Sequence, residues 1–215
     1  MKIKAVIFDL DGVICHTDQF HYQAWKALAD QYGIYFDEKI NNRLRGVSRM
    51  ASLDIILERY EGDRSLLPRE EMAEQKNRTY RNLLEQMTPA DVAPEVLETL
   101  EKLKKAGIKI AIGSSSKNTP LILEKIGLSQ EFDAVSDGNN ITKSKPDPEV
   151  FLKAAELLNV PPPECMIVED AEAGILAGKN GKMTTIGIGE AASCGEADFS
   201  ATDFGMIYNI VSKLQ

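Results

Sequence analysis

The sequence has little of what disulfide scaffolds, zinc modules and membrane spans are built from. Three cysteines (Cys15, Cys165 and Cys194) among 215 residues are too few and too scattered for a disulfide framework or a zinc site. They read as incidental thiols of a reducing compartment. The two histidines, His16 and His21, lack the i, i+4 spacing of a helical metal pair. No apolar stretch approaches the ~20 residues of a membrane span. The basic start is followed by an apolar run that breaks at Asp9, too soon for a signal peptide, so the expectation is a cytoplasmic protein. An excess of positive charge is also missing. Lys and Arg number 25 against 33 Asp and Glu, a net charge of −8. That argues against a general nucleic-acid binder or an anionic-membrane binder. A local basic pocket for phosphate remains compatible with it. There is no internal repeat and no low-complexity tract. What is there is ordinary for a globular chain, 43% apolar and 27% charged, with length for one large domain or a domain with an insertion.

Outside residues 15–92, strand and helix patterns alternate. A strand ends at Asp11, and a helix runs from Pro94 to Ala106 with Gly107 as its stop. Strand 108–113 precedes a helix with Pro120 in its first turn. Then come a short strand 132–135, a helix 149–159, a strand 166–168, a helix near 171–179 and a strand 183–188. The strands are apolar almost throughout, as when helices cover both faces of a sheet. This predicts an α/β fold, a doubly wound parallel sheet with its site at the carboxyl ends of the strands. Within 15–92 only helical periodicity is found. Phe20, Ala24, Leu28 and Tyr32 recur every fourth residue, and Leu53, Ile56, Leu57 and Tyr60 follow the helical spacing i, i+3, i+4 and i+7. Pro68 opens a third helix carrying Met72, Tyr80, Leu83, Leu84 and Met87. The segment 15–92 is therefore expected to be a helical insert, with residues 1–14 and 93–215 forming the α/β core.

Four strand-end or loop segments carry the chemistry. Ala5-Val6-Ile7-Phe8 runs into Asp9-Leu10-Asp11-Gly12, an apolar strand that stops at two carboxylates. Side chains alternate along a strand, so Asp9 and Asp11 share a face if the chain stays extended, roughly 7 Å apart. Gly12 permits a turn that a Cβ resists. Ile108 to Gly113 ends in Ser114-Ser115-Ser116-Lys117. Lys143-Ser144-Lys145-Pro146-Asp147-Pro148 is a basic loop before a helix, and Met166-Ile167-Val168 ends in Glu169-Asp170. Each segment alone has a plain alternative: an acidic turn, a solvated lysine, or an acidic helix start favoured by the helix dipole. In this order they resemble the four motifs of the haloacid dehalogenase superfamily, mostly Mg²⁺-dependent phosphoryl-transfer enzymes, over nearly the whole chain.

That resemblance implies a helical cap inserted after the first strand. It implies Asp9 as nucleophile and Asp11 as general acid/base. The dehalogenase branch lacks the second Asp, so Asp11 argues against dehalogenation. Phosphoryl transfer requires charge neutralisation as well as a nucleophile. Glu169 and Asp170 are hard oxygen ligands of the kind Mg²⁺ prefers. They would complete a metal site with Asp9 and the backbone carbonyl of Asp11. Ser114 and Lys145 would meet the transferring phosphate; Lys143 is a local competitor, but Lys145 stands where the family lysine does. Gly187-Ile188-Gly189-Glu190-Ala191-Ala192 fits a loose dinucleotide pattern. It follows the last predicted strand with too little chain for a βαβ unit, so a loop is expected.

The cap segments Thr17 to Trp25, Arg45-Gly46-Val47-Ser48-Arg49, and Lys76 with Tyr80 resemble the β-phosphoglucomutase branch. So does Ser116-Lys117-Asn118. His16 departs from the acidic residue that this branch carries before its threonine. The branch interconverts β-D-glucose 1-phosphate and glucose 6-phosphate through β-glucose 1,6-bisphosphate. The resemblance thus implies Mg²⁺ and that bisphosphate as primer, small sugar phosphates as partners, and no nucleic acid or membrane. A monomer is expected. It also implies substrate contacts from Thr17, His21, Trp25, Gly46, Arg49, Lys76, Ser114, Ser116, Lys117, Asn118 and Lys145. Arg49 suits a second phosphate because its fork binds bidentately; on spacing alone it is equally a solvated charge. Trp25 also fits plain core packing, and Lys76 with Tyr80 a solvated helix face. A phosphatase of the same fold and a non-catalytic binding protein are the alternatives.

Overall fold

The computed structural model describes residues 2–45 and 47–214. Five of its strands follow the predicted order: β1 (Ala5–Phe8), β2 (Lys109–Gly113), β3 (Ala134–Ser136), β4 (Cys165–Glu169) and β5 (Thr184–Gly187). A sixth, β6 (Phe199–Ser200), extends the edge. The sheet order is β3-β2-β1-β4-β5-β6, and every neighbouring pair is parallel.

Strand alternation sorts the core into two faces. Ala5, Ile7, Ala111, Cys165 and Ile167 pack against α7 (Glu149–Leu158) and α8 (Glu172–Asn180). Val6, Phe8, Ile110, Ile112, Met166 and Val168 point the other way. They meet α5 (Pro94–Lys105), α6 (Thr119–Lys125) and α9 (Gly205–Ser212). β1 and β4 are buried along their whole length, which is why they read as unbroken apolar runs rather than alternating ones.

Among the described residues, the α-helices between β1 and α5 are α1 (Asp18–Gln31), α2 (Glu38–Asn42), α3 (Arg49–Leu57) and α4 (Arg69–Leu84), with no named strand among them. They form the inserted cap. Its own core centres on Trp25, Leu28, Leu53, Ile56 and Met72. Ala24, Tyr80 and Leu84 of α1 and α4 join the core under the sheet. Capping explains two of the starts. Asp37 accepts from Ile40 N–H at α2 and Ser48 from Ala51 N–H at α3, each satisfying a donor of the first turn.

Three elements depart from the sequence reading. The five-residue α2 is too short to show periodicity. β5 is not the last strand, because β6 and α9 follow it. The Gly187–Ala192 segment is not plain loop, since residues 189–193 form a 3-10 helix.

Candidate active site

All the motif ends converge above the carboxyl edge of the sheet. Asp9 follows β1 directly, and its N–H donates to Val168 of β4. Ser114 follows β2, with its N–H on Ser136 of β3. Glu169 ends β4. The 3-10 segment braces the acidic pair from behind: Ile188 N–H donates to the Glu169 carbonyl, and Ala191 N–H to that of Asp170. The dinucleotide-like glycines thus serve the acidic pair.

Asp9, Glu169 and Asp170 each place a carboxylate oxygen within 4.8 Å of the others, and all three are buried. Lys145 Nζ lies 2.5 Å from Asp9 and 2.6 Å from Glu169. Burial disfavours its charge, but the two carboxylates outweigh burial and keep the ammonium protonated. The carboxylates fare differently. Burial, against the pull of Lys145, pushes the Asp9 pKa up to about 7. Burial, then the charges of Glu169 and Asp9, push Asp170 up to about 8. One lysine leaves the cluster short of positive charge. A divalent cation would relieve that shortage, and three hard oxygen donors fit Mg²⁺. The side chain of Asp11 lies outside this trio.

Two glycines make the approach possible. A Cβ on Gly12, where φ is +85°, would collide with the Asp170 carboxylate, and one on Gly174 would collide with that of Glu169. The sequence reading assigned Gly12 only a turn and passed over Gly174.

Asp11 accepts a hydrogen bond from Thr17. Burial raises its pKa, with Thr17 opposing. A carboxyl held this way keeps its proton more readily than a solvated one, as a general acid must. Thr17 is fully buried and stands behind Asp11 rather than in the cavity lining.

A cavity of about 380 Å³ separates this floor from the cap. His21, Trp25, Arg49 and Lys76 line it from the cap, and Ser114, Ser116, Lys117, Asn118 and Lys145 from the core. Gly46 lies outside the described residues. Lys76 is buried, with Nζ 2.9 Å from His21 Nδ1 and above the rings of Trp25 (4.8 Å) and Tyr80 (4.4 Å). Burial, then the charge of Arg49, lowers the Lys76 pKa to about 7. Burial and Lys76 also hold His21 well below its usual range, so its neutral ring accepts from the ammonium. Trp25 is both packing and wall: it belongs to the cap core and its ring supports Lys76.

Arg45 had no individual role in the sequence reading. It reaches from the cap to core carboxylates, 2.8 Å from Asp18 of the cap and 3.3 Å from Asp170. Asn77, also unforeseen, stands beside Arg49 on the opposite wall. Its only sequence signal is its place next to Lys76.

A parallel sheet with a helical cap and an aspartate, hydroxyl, lysine and acidic pair at its strand ends defines a class of phosphoryl-transfer enzymes. The family model for haloacid dehalogenase-like hydrolase matches residues 3–182, and the chain belongs to that family. It is 44% identical to a β-phosphoglucomutase of Bacillus subtilis over 190 residues, 87% of this chain and 84% of that protein. It is 32% identical to a phosphorylated carbohydrates phosphatase of Thermotoga maritima, over 86% of this chain and 84% of that one. The crystal structure of β-phosphoglucomutase from Clostridium difficile superposes with a TM-score of 0.90 at 38% identity, covering 99% of this chain and 96% of that chain.

Proposed function

We propose that this chain is a Mg²⁺-dependent mutase that interconverts β-D-glucose 1-phosphate and glucose 6-phosphate through β-glucose 1,6-bisphosphate. The observation that carries the reading is a cavity with two phosphate-suited ends. Asp9, Ser114 and Lys145 occupy the floor, and Arg49, Ser116, Lys117 and Asn118 the far wall. A bisphosphate needs both ends. The residues of the insert, 15–92, form the cap over a core of 1–14 and 93–215.

In this reading an Asp9 carboxylate oxygen attacks the phosphorus of the bisphosphate. The bond from phosphorus to the sugar oxygen breaks, and Asp11 gives its proton to that oxygen. In the reverse half, Asp11 removes the proton of the accepting sugar hydroxyl as that oxygen attacks the aspartyl phosphate. Lys145 holds Asp9 and its counter-charge in place, while the Ser114 hydroxyl meets the phosphoryl oxygens. Asp9, Glu169, Asp170 and the Asp11 carbonyl would hold Mg²⁺, which supplies charge neutralisation to the phosphoryl group. Small sugar phosphates are the partners.

The same floor also suits a sugar-phosphate phosphatase, a reading favoured by the Thermotoga relative. A coupled assay of β-D-glucose 1-phosphate, with and without the bisphosphate primer, decides between them. Primer-dependent formation of glucose 6-phosphate is expected. Release of inorganic phosphate as the main product would establish the phosphatase instead.

A further inference from the structure

The far wall is held by a chain of hydrogen bonds that crosses from cap to core. Arg49, the first residue of α3, lies 2.8 Å from Glu74 through Nη1 and donates through Nη2 to Asn77 Oδ1 at 2.9 Å. Asn118 Nδ2, from the core loop before α6, donates to the same oxygen at 3.0 Å. Arg81 then donates to Asn118 Oδ1 at 3.1 Å. Glu74, Asn77 and Arg81 follow at i, i+3 and i+7, so one face of α4 carries all three.

The two ends of the chain decide the middle. A guanidinium only donates. Arg49 therefore requires the oxygen of Asn77, and Arg81 requires the oxygen of Asn118. Asn118 must then turn its Nδ2 toward Asn77, as found. Both carboxamides have one orientation consistent with their neighbours. Asn77 Oδ1 accepts from both a cap cation, Arg49, and a core amide, Asn118.

We propose that Asn77 is a positioning residue for the distal phosphate, making that end of the site complete only when the cap is seated on the core. This rests on the reading of Arg49 as the distal anchor. A guanidinium recognises phosphate through a planar fork, so its orientation matters as much as its charge. Glu74 is well exposed and α3 begins at Arg49 itself. The bond to Asn77 is the one that sets the fork in register with Asn118 across the cavity. Asn77 thereby favours ligands with two phosphates over those with one.

The test is a double-mutant cycle of Arg49→Ala, Asn77→Leu and the pair, with each variant checked for wild-type thermal unfolding. Two reactions are followed: primed conversion of β-glucose 1-phosphate, and phosphate release from acetyl phosphate, which has no distal group. Asn77→Leu is expected to lower kcat/KM of the first by about tenfold more than that of the second. The double variant should lose no more than about twofold beyond Arg49→Ala, because Asn77 acts through Arg49. Equal losses in the two reactions, or losses that add, would overturn the role of Asn77. If Arg49→Ala itself shows no preference between the reactions, the distal-anchor reading fails instead. Asn77→Ala serves in the same cycle if the leucine variant unfolds early.

Discussion

The floor of the cavity and its cap-side wall solve the same problem, holding charge out of water, in opposite ways. The floor concentrates charge. Three carboxylates and one lysine are all buried, on strand ends that the sheet fixes. The wall disperses it. Lys76 has a neutral imidazole and two aromatic rings for company, and Arg49 shares its charge with an exposed Glu74 and an amide. A rigid, over-charged floor suits a group that must be attacked in one geometry. A wall of mixed polar contacts suits a ligand that must be released and turned.

The sharpest break of this contrast is Asp9→Asn. The amide keeps the shape but is no nucleophile, so turnover of any phosphate should fall by on the order of 10⁴-fold or more. The cluster loses one negative charge, so folding should not suffer. A variant with substantial steady-state turnover, at a purity that excludes wild type, would remove Asp9 from the chemistry.

Next in size is Lys145→Met, which keeps much of the side chain's bulk and discards its charge. The carboxylates then face one another without their ammonium. Removing one partner of a buried ion pair costs on the order of 3–5 kcal/mol. The loss should grow as pH rises through 7 and 8, where Asp9 and Asp170 ionise, and Mg²⁺ should return part of it. Thermal unfolding with and without Mg²⁺ measures both. A variant as stable as the parent in the absence of metal would show that the floor is not short of positive charge.

How much of this was legible beforehand follows the same division. The floor lies where apolar runs stop, and a run of Val and Ile ending in Asp is visible in one dimension. Asp9, Ser114, Glu169 and Asp170 were found that way. Lys145 was chosen over Lys143 only by family resemblance; Lys143 proves exposed and paired with Asp147. The wall is built from residue types that populate any helix surface, and their meaning lies in a partner on another element. Asn77 meets Asn118, and Arg45 meets Asp170, 41 and 125 residues apart. Nothing in either segment announces the other. Thr17 looked like a substrate contact and instead supports Asp11. β6 and α2 were missed because two and five residues are too few to show a period.

A smaller effect separates floor from wall through pH. Asp9, Asp11 and Asp170 have raised pKa values in the folded state, so between pH 5 and 7 the folded protein binds more protons than the unfolded chain there. His21 is lowered and acts the other way below its ordinary pKa. Lys76 titrates in the fold near 7, far below its ordinary value, so it opposes the carboxylates only toward the top of this window. The carboxylates outnumber the histidine, so stability without metal should fall as pH rises from 5 to 7. Each net proton is worth about 1.4 kcal/mol per pH unit. Saturating Mg²⁺ should flatten the slope. Urea midpoints across this range give the result, and a midpoint that climbs with pH in metal-free buffer would show that the wall, not the floor, governs.

The smallest effect belongs to Arg45, a cap residue that reaches a carboxylate of the floor. Its guanidinium lies 3.3 Å from Asp170, a carboxylate assigned to the metal, and 3.8 Å from Glu190. A cation there competes with any other cation for the same oxygen. Arg45→Gln removes the competitor and keeps a donor of similar reach. The pair is partly solvated, about 25% and 12% exposed, so the Coulomb term is modest, about 0.2–1 kcal/mol. Mg²⁺ should therefore bind up to about fivefold tighter to the variant. The gain should shrink in high salt, where such pairs are screened. Calorimetric titration of Mg²⁺ at low and high ionic strength reads this without reference to turnover. Weaker binding in the variant would reverse the assignment: Arg45 would then be orienting the Asp170 carboxylate for the metal, and the cap would be part of the floor's preorganisation rather than a rival to it.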